Sequence, residues 1–150
     1  EFKNIPVEYF GWIFSAISGL SVFGFYYSHS FSERFGNKFT LVLTTLFFSL
    51  LIILATLTQS WISILLLALT SILYGLRGPV LDHMTNIEVE SNKRATILSA
   101  SNLAQTLGMA LIAPVLGYLA DLWSINTAYL IAGISYLIAV VLFLLISDRK

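Results

Sequence analysis

Few residues within the apolar stretches of this chain can carry charge or offer several hydrogen bonds, and they are the natural starting point. Residues 74 to 84 read "YGLRGPVLDHM", with Arg77 beside a Gly-Pro pair and Asp82 and His83 just beyond. A guanidinium offers a planar, multidentate donor set to carboxylates and phosphates. Pro79 cannot donate to the carbonyl of Gly75, and Gly75 and Gly78 add no stiffening side chain, so a helix bend is expected where the arginine sits. Further on, Asn102 and Gln105 place two amides one turn apart on nearly one helix face, and amides in hydrocarbon need partners or water. Tyr74, one turn before Gly78, adds a phenolic hydroxyl.

The elements that position these groups follow from composition. The chain has 150 residues, 57% hydrophobic and 11% charged, whereas soluble domains carry about 25% charge. That apolar surplus exceeds what one core can hide, and it reads as an all-α integral membrane protein. Eight basic and eight acidic residues cancel, so no basic field points to nucleic acid. The absence of cysteine excludes a disulfide framework, a thiolate metal site and a Cys nucleophile. No H-E-x-x-H or G-x-S-x-G motif occurs, no paired aspartates lie in the spans, and His29 and His83 are far apart in sequence. An enzyme is therefore not expected, nor a metal or cofactor. The chain opens on Glu1-Phe2 without a basic n-region, so its first apolar run does not read as a signal peptide. The missing initiator Met suggests a piece of a longer chain.

Charge-free stretches set the spans. Tyr9 to Phe31 exceeds the ~20 residues needed to cross a ~30 Å hydrocarbon core. Phe39 to Leu76 would reach about 57 Å as one helix at 1.5 Å per residue, so it must fold back at the polar island "TQSW". Five transmembrane helices are expected, at about 7–30, 39–57, 61–84, 95–121 and 125–147, in a single membrane domain 1–150, with cytoplasmic loops at 31–38 and 85–94. Arg34, Lys38, Lys93, Arg94, Arg149 and Lys150 then fall on one side and Lys3 on the other. The positive-inside rule puts the amino end outside and the carboxyl end in the cytoplasm of a multi-pass plasma-membrane protein. Trp12, Trp61 and Trp123 all lie toward the outer side, as an aromatic belt would.

Gly11, Ser15 and Gly19 in span one, and Ala100, Ala104 and Gly108 in span four, form small-residue rows that let helices approach closely. Spans one and four are expected inside the bundle, and spans two and five, without ionisable residues, at its periphery. Arg77 lies roughly 24 Å along span three, on the cytoplasmic side of a core about 30 Å thick. Two readings stay open for it: a stem that snorkels to the inner headgroups, or a charge lining a cavity at a weakened helix.

The stretch from Tyr74 to Asp121, with its Gly-Pro-interrupted helix, acidic loop, "RAT" with a following Ser, and "GYLAD", resembles the tenth and eleventh helices of a major facilitator superfamily transporter. "SERFGNK" resembles the cytoplasmic signature loop of that family, with Glu33, Arg34, Gly36 and Lys38 matching and His29 standing where the family usually has glycine. The resemblance covers the chain as helices eight to twelve of twelve. It implies alternating access around a site near the midplane, a carboxyl-terminal fragment of a secondary transporter, and partners in the lipid bilayer, a small-molecule solute and the missing amino-terminal helices. It also implies a path or gate drawing on Tyr74, Arg77, Asp82, Asn102 and Gln105. The signature loop would latch one state, Glu33 meeting the positive end of a neighbouring helix and Arg34 a carboxylate. No acidic residue lies at mid-membrane, so neither proton coupling nor an anionic cargo follows from these spans. A small membrane-embedded accessory or structural subunit is the alternative.

Overall fold

A computed structural model of the chain describes residues 8–58 and 61–145. Among them the chain forms five α-helices: α1 (Glu8–Phe35), α2 (Asn37–Leu57), α3 (Trp61–Glu88), α4 (Arg94–Leu122) and α5 (Ile125–Leu145). Helix is the natural outcome for such apolar runs, because in hydrocarbon every backbone donor and acceptor must be satisfied within its own segment. Helices α2, α3, α4 and α5 are each long and apolar enough to cross a membrane. Helix α1 is long enough at 28 residues, but its six serines and three glycines leave it more polar than the other four.

Two helices run past their expected ends. Helix α1 continues to Phe35 and α3 to Glu88, so residues 31–35 and 85–88 are helical rather than loop. Polar side chains end a membrane crossing, but they need not end a helix. The break after α1 is Gly36, at φ +88°, a left-handed conformation that favours glycine. Its N–H still donates to the Ser32 carbonyl at 2.8 Å, and its own carbonyl accepts from the Thr40 N–H at 3.0 Å. At the other end of the molecule the Ser124 hydroxyl caps α5 by accepting from the Thr127 N–H at 3.1 Å. Helix α3 runs unbroken through Pro79.

Contacts between the helices arrange them in the spatial order α1, α3, α2, α5, α4. At the α1–α3 seam, Gly24 lies against the backbone of Ile72, Gly75 and Leu76, and Gly75 against that of Ser21 and Phe25. A side chain on either glycine would collide with main chain. Beside this crossing the Ser28 hydroxyl donates to the Leu76 carbonyl at 2.8 Å. Of the two glycines read from sequence as softening α3, Gly75 thus serves a backbone-to-backbone contact, while Gly78 faces the Phe25 ring.

Helix α2 occupies the centre, contrary to the peripheral place expected for it. Its buried stripe includes Thr40, Thr44, Thr45 and Ser49, and the Ser49 hydroxyl donates to the Gly133 carbonyl of α5 at 2.7 Å. Short hydroxyl side chains admit close neighbours and bond across them, which matters more in a membrane than hydrophobicity does. Helix α4, expected inside, packs mainly along α5 and has no buried residue.

Candidate functional site

Arg77 projects from α3 toward the two helices beyond it in the row. Its guanidinium carbon stands 5.4 Å from the centre of the Phe48 ring on α2 and 5.8 Å from that of Tyr136 on α5. The two rings touch, with centroids 4.7 Å apart and planes inclined at 54°. Both distances lie within the range of cation–π attraction. Arg77 is half-buried, and among the described residues none accepts a hydrogen bond from it or pairs with its charge. Sequence reasoning singled out the arginine and missed both rings. Phe48 and Tyr136 sit in apolar runs whose periodicity gives no hint of what they face.

The remaining expected residues disperse. Tyr74, on the turn before Arg77, is exposed and forms no hydrogen bond among the described residues. Asp82 is exposed and without an ion pair among them. Asn102 and Gln105 lie exposed on α4, remote from α3 in the row of helices, and neither side chain finds a partner among the described residues. The main-chain carbonyl of Asn102 accepts from the Thr106 hydroxyl at 2.9 Å. Two uncapped amides on an apolar helix need either water or another protein surface.

The signature residues cluster at the α1–α2 turn. Glu33 and Arg34 occupy the last turn of α1 and Lys38 the first of α2, with Gly36 between. Glu33 does not wait for a helix terminus: its Oε1 lies 3.2 Å from Nε2 of His29, one turn earlier on the same face. Arg34 lies 5.6 Å over the ring of Phe35. Beside the turn is a cleft of about 610 Å³ whose walls include His29, Glu33 and Asn37 from α1 and α2 and Pro79 and His83 from α3. Two histidines far apart in sequence therefore face one cavity. Among the described residues no group of three His, Asp or Glu is placed to hold a metal ion.

Across the α3–α4 connection, Arg94 donates to the Asn86 carbonyl at 3.1 Å, and Lys93 pairs with Glu90 at 3.1 Å. These contacts tie the end of α3 to the start of α4 while leaving the two helices in separate places in the row.

The family profile described as Major Facilitator Superfamily matches residues 3–150. A search of curated proteins gave no match.

Proposed function

The chain belongs to the major facilitator superfamily, and from that premise we propose that it is the carboxyl-terminal part, helices eight to twelve, of a secondary transporter that moves a small solute by alternating access. Family membership places it among membrane transporters rather than enzymes. The observation that carries the reading is α4: a 29-residue apolar helix with no buried residue and with two amides that have no partner among the described residues. A finished bundle would cover those amides, and a half-bundle leaves them for the other half and for the solvated path between the two. Five helices enclose no path by themselves.

In this reading α1 is the first of five spans, tolerating its serines because α3 covers one side of it. Tyr74, Arg77, Asp82, Asn102 and Gln105 line the path or its cytoplasmic gate. Glu33, Arg34, Gly36 and Lys38 form the latch loop, and its partners belong to the amino-terminal half. The amino end faces outward and the carboxyl end the cytoplasm of the plasma membrane.

Single cysteines test the arrangement. In the full-length transporter, Asn92→Cys should react with an impermeant maleimide only from the cytoplasmic face, and Ser124→Cys only from outside. Labelling of Asn92→Cys in intact cells would overturn the orientation.

A further inference from the structure

We propose that Arg77, Phe48 and Tyr136 form an anion-binding site that takes a carboxylate or phosphate group, presented by a transported solute or by a lipid headgroup. The solute alternative rests on the transporter reading above, whereas the site itself does not.

The two rings hold the arginine in place and leave its hydrogen-bond donors unmet. With its guanidinium carbon 5.4 Å and 5.8 Å from two ring centres, the arginine is held between helices instead of reaching freely for water. A snorkelling side chain gains nothing from such a clamp, because it works by extending along whatever route brings the charge to the interface. The rings stabilise the cation through their negative faces. They carry no net charge, however, and accept none of the strong hydrogen bonds that the five guanidinium N–H groups can donate. Among the described residues no oxygen accepts those bonds and no carboxylate neutralises the charge. Asp82, further along α3, is exposed and does not turn back to Arg77.

A half-buried, positioned guanidinium with its donors unspent is suited to a planar or tetrahedral oxyanion, which it grips in a two-point fork. The rings also set the direction of approach, since an anion is repelled by aromatic faces and must come to the guanidinium from the side they leave open. Phe48 and Tyr136 each stand near the middle of a 21-residue helix, so the guanidinium they hold lies near the centre of a core about 30 Å thick, at the depth of a solute midway along a path, and a lipid phosphate reaches it only by dipping below the headgroup layer.

The test uses full-length transporter in nanodiscs, read by the shift of the thermal unfolding midpoint with added ligand. Benzoate and inorganic phosphate are the soluble probes in phosphatidylcholine discs, and phosphatidylglycerol introduced into the discs is the lipid probe. Stabilisation by a soluble probe, weakened roughly tenfold to a hundredfold in Arg77→Gln as expected for a lost charge-assisted bond, identifies a solute site. Stabilisation by phosphatidylglycerol that disappears in Arg77→Gln identifies a headgroup site. Should Arg77→Gln fail to insert, Phe48→Leu and Tyr136→Leu keep the arginine and remove the clamp. Each should weaken the same response by roughly two- to tenfold. Equal responses of the parent and every variant to all three probes would overturn the inference. Cysteines near the midplane that are reachable alternately from the two sides in Arg77→Gln would show that the transporter reading survives that failure.

Discussion

Helices α2 and α4 are both long apolar spans, and α2 is the more apolar of the two. Helix α2 nevertheless sits between α3 and α5 with a continuous buried stripe, whereas α4 touches little besides α5 and buries nothing. In water this ordering would be expected, because the greasier helix should hide. In a bilayer hydrophobicity gives neither helix a reason to hide, since lipid tails are as apolar as leucine. What separates them is the use made of small and polar residues. On α2, Thr40, Thr44 and Ser49 are buried and hydrogen-bonded. On α4, Asn102 and Gln105 are exposed, and Gly108 and Gly117 have open space where a side chain would go. Helix α4 thus carries the equipment of an interior helix without an interior.

The sharpest way to break this comparison is to fill a glycine in each region. Gly75→Val forces a side chain into the α1 backbone and should cost at or beyond the upper end of the ~1–3 kcal/mol typical of overpacking, read as a lowered midpoint of thermal unfolding in detergent. A Cβ at Gly108 meets nothing among the described residues, so Gly108→Val finds open space there. It should leave the stability of this chain alone unchanged and lower that of the full-length transporter. Equal effects of Gly108→Val in the two contexts would remove the distinction between the helices.

A smaller effect is expected at the α2–α5 contact. Ser49→Ala removes the bond to the Gly133 carbonyl and should cost about 0.6 kcal/mol, the average for an interhelical hydrogen bond in a membrane, measured by reversible unfolding in mixed micelles. Thr45 gives the smallest and the opposite sign. Its hydroxyl is buried with no partner among the described residues, so Thr45→Val, which keeps the shape and removes the unmet polar group, should be neutral or stabilising by up to ~1 kcal/mol. A loss of stability comparable to that of Ser49→Ala would mean that the Thr45 hydroxyl has a partner after all.

Much of the architecture was legible from charge alone. Uninterrupted apolar stretches and the polar island before Trp61 are enough to expect five helices, because length and the cost of charge in hydrocarbon decide them. The order of helices in space was not legible, and neither was the central place of α2. Neighbours in a membrane are chosen by close-fitting shape, and Gly24 against Gly75 announces itself only once two helices are laid together. At the candidate site, Arg77 was conspicuous because a charge in a span is rare. Its ring partners were invisible, since Phe48 and Tyr136 look like any other aromatic residues in apolar runs. The same limit hid the shared cleft of His29 and His83, whose distance in sequence says nothing about their distance in space.

The central claim is that the open face of α4 is made to be covered by the rest of a transporter, and a nitroxide scan tests it most directly. Spin labels placed singly from Leu103 to Leu111 report collision with molecular oxygen, which concentrates in lipid. In the isolated 150-residue chain, reconstituted in bilayers, oxygen accessibility should be high along the whole stretch. In the full-length transporter it should fall with helical period on the face of Ala104 and Gly108, while a control label at the exposed Leu142 of α5 stays accessible in both. Identical, uniformly high profiles in the two proteins would show that α4 faces lipid by design and would contradict the account.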